Sequence, residues 1–502
     1  MTTASTPAPS RTWRVGVLDW LITQLEHSPL LAYLVGAVAA VWVEITYGET
    51  LAEVFGLSRP PVLFGSLAVL ENFGDLDLSG ILAPLMPTLP VDNPWLQSGQ
   101  ALVEVLGTFV GDIPPALLTF AQVTGYNLLV YGVPIVLAAL LLRKPAQVLL
   151  QRIPVWLGLL LQLGVLYVIV RLWGSLTDYR NLVLMFMGIN VILTASLNLI
   201  NGYMGEFSVG HGGFMAVGAY ISAVLTMWLV TNNPVFGNAL LPGVATLPYG
   251  IGTAIGFIIA LLVGGLAAAL VSLLVAIPSF RTRGDYLAIV TLALNFIVLA
   301  VINNIDFIGG ARGLNGVPLW STVTWVFVFT VISIITIRNL VTSTLGKGII
   351  AIREDEIAAD LMSVDTRRVK LVAFMYSSFL AGVAGGLFGH VLAYVNPATF
   401  GILKSTEALV MVYLGGMGSI TGSIVAAVRF TFLLEALRPL GVLKWVVIPL
   451  ILILLMIYRP QGLFGGREIK LNLRGRKNPE KTDVDLTASQ MEKDESDAVI
   501  TD

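Results

Sequence analysis

Residues 201–213 read NGYMGEFSVGHGG and fall between two apolar runs, Leu182 to Ile200 and Gly212 to Val230. Five glycines, together with Glu206, Ser208 and His211, interrupt what would otherwise be two plain membrane helices. Backbone that leaves the helix at membrane depth is tolerated only against protein or a watery cavity, because each unpaired N–H or C=O in hydrocarbon costs several kcal/mol. Two readings follow: a break between helices that lines a pathway, or a glycine-rich cytoplasmic turn that lets helices approach closely, with Glu206 at the interface. Ionisable groups inside spans favour the first. Gly202, Gly205, Glu206, Ser208, Gly210 and His211 are therefore the candidate pathway residues of this stretch.

The surrounding composition sets the fold class. Of 502 residues, 56% are hydrophobic and 12% charged. Soluble domains carry roughly twice that charged fraction. Apolar runs of about 20 residues, enough to cross roughly 30 Å of hydrocarbon, recur along most of the chain, so the expected fold is an all-α polytopic membrane protein. Disorder and nucleic-acid binding are excluded for the body. The chain has no cysteine. Disulfides, thiolate metal sites and a cysteine nucleophile are thereby excluded. The only histidines are His27, His211 and His390, so no multi-histidine metal site is expected.

Spans are expected near Leu30 to Tyr47, Tyr126 to Leu142, Val155 to Trp173, Leu182 to Ile200, Gly212 to Val230, Gly250 to Ile277, Tyr286 to Ile302, Trp320 to Ile337 and Leu371 to Ala393. A short run Ala408 to Gly418, then Ser419 to Leu437 and Val442 to Tyr458, complete the set. Residues 48–125 carry Glu49, Glu53, Glu71, Asp75, Asp77, Asp92, Glu104 and Asp112 against a single basic residue, Arg59. Positive residues are retained in the cytoplasm, so this segment is expected outside. Arg143, Lys144, Arg152, Arg281, Arg283, the basic stretch from Arg338 to Lys370 and everything after Arg459 are expected inside. Twelve crossings with both termini cytoplasmic satisfy these placements if 408–437 makes two short crossings. The first run is read as an uncleaved anchor, since its Ala37-Val38-Ala39 triplet lies within it. The organisation expected is an N-terminal membrane-anchored extension (1–150, about two spans), a body of about ten spans (151–462), and a polar, disordered cytoplasmic tail (463–502).

Two further segments depart from plain helices. Residues 405–423 read STEALVMVYLGGMGSITGS, where Gly415, Gly416, Gly418 and Gly422 break a run whose first half is too short to cross. Paired discontinuous segments point to a substrate path. The alternative is tight helix packing, the reading preferred for Gly382, Gly386 and Gly389. Residues 342–370 read TSTLGKGIIAIREDEIAADLMSVDTRRVK. Ile350, Ile357 and Leu361 fall at i, i+7 and i+11, an apolar stripe with Arg353, Glu354 and Asp355 largely off it. An amphipathic helix with an acidic polar face suits a protein groove better than a membrane surface.

No G-x-x-x-x-G-K-[ST] occurs, because Gly346-Lys347 is followed by Gly348, so any ATP is expected on another chain. No hydrolase motif is present either. Glu44, Arg171 and Lys444 are read as near span ends and able to snorkel. Arg429 and Glu435 lie deeper and are each expected to need a partner on another segment.

The stretches SLNLINGYMGEFSVGHGGFMAVGAY, RTRGDYLAIVTLALNFI, GKGIIAIREDEIAADLMSVDTRRVKLVAFMYSSFLAGVAGGLFGH, YLGGMGSITGSIVAA and YRPQGLFG occur in that order. They resemble the LivM-type permease subunit of ATP-binding-cassette importers for branched-chain amino acids, over roughly residues 180–465. The resemblance implies a type II-like importer fold in the bacterial inner membrane. It also implies a LivH-type sister permease, two cytoplasmic ATPase subunits that bind ATP and Mg, and a periplasmic substrate-binding protein; this chain would bind no cofactor or metal and catalyse nothing covalent. On the same basis Ala351 to Ala359 look like the coupling helix, so Ile352, Arg353, Glu354, Asp355, Glu356, Ala358 and Ala359 are the candidate ATPase-coupling residues. The family motif often carries Gly shortly after the alanines, where Ser363 stands here. Urea or short-chain amides are the alternative substrates, and a secondary transporter or a membrane scaffold are the competing classes.

Overall fold

The computed structural model describes residues 29–65, 118–229, 251–280 and 286–438, with a few isolated positions between 449 and 462. The expectations for most of the acidic segment, for Arg281, Arg283 and Lys444, for the last span and for the tail lie outside these residues.

The helices are α1 (Leu30–Val54), α2 (Leu118–Leu141), α3 (Arg143–Arg152), α4 (Val155–Gly174), α5 (Asp178–Asn198), α6 (His211–Leu229), α7 (Ile251–Ser279), α8 (Tyr286–Asn303) and α9 (Val323–Thr342). There follow α10 (Thr344–Glu354), α11 (Glu356–Leu361), α12 (Thr366–Leu392), α13 (Ile402–Gly415) and α14 (Ile420–Ala436). Eight of the described helices are long and apolar enough to cross a membrane, and the architecture is all-α and polytopic. The described strands are two short ones, β1 (Leu314–Asn315) and β2 (Tyr394–Val395), paired antiparallel with Leu314 opposite Val395.

The chain divides into two compact units, the first holding residues 1–58 and 124–169 and the second holding 59–123 and 170–469. In the first, α1 and α2 meet where Gly36 lets the backbone at Ile135 approach, a Cβ there falling 2.7 Å from the Ile135 Cα. Glu44 does not snorkel as its reading near a span end implied. Helix α1 continues to Val54, which puts Glu44 in mid-helix, buried and bonded by the Tyr131 hydroxyl at 2.5 Å.

The second unit is built on α6, α7 and α12, whose facing glycines allow backbone contact. A Cβ on Gly218 would lie 2.1 Å from the Gly382 oxygen, and one on Gly385 1.9 Å from the Met215 oxygen. Gly382 and Gly386 meet α7 and α6 in the same way, so the packing reading of these glycines holds. Beside this trio stands α5, whose residues from Ile189 to Asn198 are all buried. Its polar residues Asn190, Thr194, Asn198 and Asn201 recur every three or four positions, so they share one face. That face meets α13 and α14: Asn190 donates to Thr431, Thr194 to the Met411 sulfur, and Asn198 to Ser423.

Candidate functional site

The first glycine-rich segment is a true interruption. Helix α5 widens into a π-turn over Leu199–Met204, Gly205 takes φ +79°, and the chain runs without helical bonding to His211, where α6 begins. The second is the sharp turn between α13 and α14. Gly416 and Gly418 have φ +101° and +77°, conformations that need glycine, and the Ser419 hydroxyl caps α14 by accepting from Gly422 N at 3.0 Å. With 14 residues α13 is short, and at 1.5 Å each it spans about 21 Å.

The two interruptions touch. A Cβ on Gly202 would lie 2.3 Å from Gly418 N and 1.9 Å from the Asn198 amide oxygen. Asn198 ties them together, its Oδ1 accepting from Gly418 N at 2.9 Å and its Nδ2 donating to the Ser419 carbonyl at 2.9 Å and to Ser423 Oγ at 2.8 Å. They therefore do not face one another across a cavity. Gly210 is backed by α8, a Cβ there falling 2.9 Å from the Thr291 oxygen, and Gly415 is backed by Gly422 at 2.5 Å. At these glycines close approach is what the geometry requires, since backbone on the far side leaves no room for a side chain.

Ser208 and His211 are fully buried. His211 Nε2 lies 3.0 Å from Ser377 Oγ, which donates in turn to the Ser196 carbonyl. Ser208 Oγ, His211 Nδ1, Asn201 Nδ2 and Asn295 Oδ1 are buried here with no protein partner among the described residues. Such a group costs about 1–3 kcal/mol unless it is satisfied, so this corner suits water or the polar groups of a solute.

Glu206 is not among them. Its carboxylate is paired 2.6 Å from Lys370 Nζ, and Lys370, 7% exposed, also reaches Glu356 at 2.8 Å. One ammonium on the first turns of α12 thus joins the helix break to the cytoplasmic loop. A second link is Arg353, whose stem lies against Gly205 and whose guanidinium donates to the Gly202 carbonyl at 3.2 Å, lies against Gly418 and pairs with Glu354 at 2.5 Å. The three segments that sequence patterning marked separately meet at one place.

The loop itself is two helices, not one stripe. Asp355 leaves helical geometry at φ −160° and caps α11 by accepting from Ile357 N at 2.8 Å and Ala358 N at 3.0 Å. The break rotates the two halves relative to one another, so Ile350 packs on the core of the second unit while Ile357, Leu361 and Met362 stand 64, 81 and 80% exposed. Ile352 and Ala359 are buried within the chain, whereas Glu354, Asp355, Glu356 and Ala358 are exposed. At the end of α11, Ser363 adopts φ +64°, a left-handed conformation that glycine takes most readily.

Glu435 finds the partner on another segment that its depth demanded, the Tyr179 hydroxyl of α5. Arg429, near the middle of α14, is exposed on the surface of the chain. Sequence reasoning missed Lys370 and the α5 face. The spacing of Asn190, Thr194, Asn198 and Asn201 could have revealed the face, but the Lys370 pair spans 164 positions and leaves no local signal. Among the described residues, no group of three or more His, Asp or Glu side chains is placed to hold a metal ion.

Residues 180–457 match the family described as branched-chain amino acid transport system / permease component. The chain belongs to this permease family. It is 32% identical over 321 residues to the high-affinity branched-chain amino acid transport system permease protein LivM of Escherichia coli K12, covering 57% of this chain and 70% of that one. It is 24% identical over 330 residues to the probable LivM permease of Methanocaldococcus jannaschii, 58% and 95% of the two chains. It is also 24% identical over 299 residues to the LivH permease of Salmonella typhimurium, 57% and 96%. No solved structure matches. The matched region contains both interruptions, the loop and Lys370. As a permease component it is a multi-pass membrane transport protein, and α1 to α4 precede the matched region.

Proposed function

We propose that this chain is the LivM-type subunit of an ATP-driven importer in the bacterial inner membrane, with both termini cytoplasmic, that moves branched-chain or other neutral amino acids. A LivH-type permease completes the pathway, a periplasmic binding protein delivers the solute, and two ATPase subunits bind ATP and Mg and supply the work. The observation that carries this reading is the double link from the cytoplasmic loop to both helix interruptions through Arg353 and Lys370. A motor docked on the exposed Ile357, Leu361 and Met362 pushes on α11. The push passes through Glu356 and Lys370 to Glu206, and through α10 and Arg353 to Gly202 and Gly418. Coupling needs such a contiguous, packed connection. The unpartnered polar atoms of Asn201, Ser208, His211 and Asn295 supply uncharged groups that pass a zwitterion without trapping it. The printed names of the LivM and LivH relatives support the amino-acid substrate and the sister subunit. The exposed Arg429 favours a protein neighbour over lipid at that depth.

The test is ATP-dependent leucine uptake by proteoliposomes containing all the subunits, compared with vesicles lacking this chain. Uptake that needs neither ATP nor the ATPase subunits would remove the reading.

A further inference from the structure

Helix α13, ILKSTEALVMVYLG, carries two opposite charges in an otherwise apolar and small-residue sequence. Lys404 Nζ lies 2.9 Å from Glu407 Oε2, and the two side chains are 12 and 13% exposed. The same ammonium is 3.4 Å from Asn190 Oδ1 on α5 and 5.8 Å from the centre of the Phe388 ring. Asn190 is held in turn by Thr431 of α14 at 3.0 Å. Phe186 stands beside Phe388, ring centres 5.6 Å apart. An ion pair that is nearly but not wholly covered, on a helix that ends at the second interruption, is expensive to keep and calls for a function. The link to the cytoplasmic loop does not use it.

We propose that Lys404 and Glu407 form a binding site for the two charges of a zwitterionic α-amino acid, resting on the amino-acid reading above. The carboxylate of the solute replaces Glu407 as the partner of Lys404, and its ammonium pairs with Glu407. Every charge stays paired throughout the exchange, so no step strands an uncompensated ion, the most costly state in a low dielectric. The pair is neutral as a whole, which binds a dipolar solute without holding it the way a lone charge would. Phe388 and Phe186 offer an aromatic wall for a branched side chain. A merely structural buried pair behaves differently: its replacement by well-packed apolar residues is often neutral or stabilising.

The test uses the complete transporter in proteoliposomes. The double variant Lys404→Met, Glu407→Leu is expected to raise KM for leucine at least tenfold in complexes that co-purify all subunits. The exchanged pair Lys404→Glu, Glu407→Lys is expected to recover part of the loss. Leucine uptake by the double variant within twofold of wild type overturns the proposal and leaves the amino-acid reading standing. A wild-type complex that moves acetamide but not leucine removes both. A second measurement does not depend on the double variant folding: with no native cysteine, Leu403→Cys, one turn before Glu407 on the same face of α13, introduces a single thiol into this chain and leaves both charges in place. A water-soluble cationic methanethiosulfonate is expected to modify it, at least fivefold more slowly with leucine present. A thiol that stays unreactive, or reacts at a rate leucine does not change, also overturns the proposal.

Discussion

Removing the Lys370 ammonium tests the connection between loop and helix break most directly. Lys370→Met keeps an unbranched stem of similar length and deletes the charge that joins Glu206 to Glu356. Glu206 is mostly covered, with the lysine 7% exposed, so their bond counts as charge-assisted and shielded; such bonds contribute about 1.5–3 kcal/mol. Glu356 is half exposed, so solvent screens its share, to about 0–1 kcal/mol. Unfolding of the solubilised chain by SDS titration in mixed micelles should give Lys370→Met and Glu206→Gln similar losses, and their double variant little more than either alone. The resulting coupling is expected to be about 1.5–3 kcal/mol, against less than about 1 kcal/mol for the cycle with Glu356→Gln. In proteoliposomes each variant of the Lys370–Glu206 pair should lower leucine uptake at least fivefold while the complex still assembles. The double variant should fall no further, since both changes cut the same link. A coupling below about 0.5 kcal/mol, or uptake losses that multiply in the double variant, would refute the argument.

The other expectations are simpler to check. Ser363→Gly removes the left-handed strain at φ +64° and should stabilise the chain by about 0.5–1 kcal/mol after allowing for the entropy of glycine, with uptake unchanged; a fall in stability on SDS titration would contradict it. Ile357→Asp with Leu361→Asp places charge on the exposed face of α11, so co-purified ATPase subunits should be lost while the stability of the isolated chain changes by no more than about 0.5 kcal/mol. Retained ATPase binding would move the docking site elsewhere. A cysteine at Ser98 should react with an impermeant maleimide in intact spheroplasts and one at Ser496 should not, as the charge asymmetry requires; labelling at Ser496 would exclude two crossings in 408–437.

What was legible in the sequence was whatever is encoded locally. Apolar runs located the described membrane helices, with ends off by as much as two turns, and the runs of glycine located both interruptions, because backbone freedom and hydropathy are written residue by residue. What was hidden depends on pairing. Nothing near Glu206 says that its partner is Lys370, and nothing in 202–213 says that Gly202 rests on Gly418. The loop was misjudged for a subtler reason: Ile350, Ile357 and Leu361 have the spacing of a single face, but Asp355 prefers to cap a new helix rather than continue the old one, which turns the stripe into two surfaces. Glu44 was misplaced because its helix continues beyond the apolar run, as far as Val54.

The three bonds of Asn198 bear on how firmly the two interruptions are joined. Parting the two interruptions means giving up the bonds to Gly418, Ser419 and Ser423 together. At about 1 kcal/mol each in net terms, this biases the closed arrangement by roughly a hundredfold. Thermal motion alone would then part them in about one molecule in a hundred. A separation of that size lies within reach of a modest change elsewhere in the chain, so the two interruptions are joined without being locked. A single buried amide side chain, that of Asn198, thus does much of the joining of two segments more than 200 positions apart.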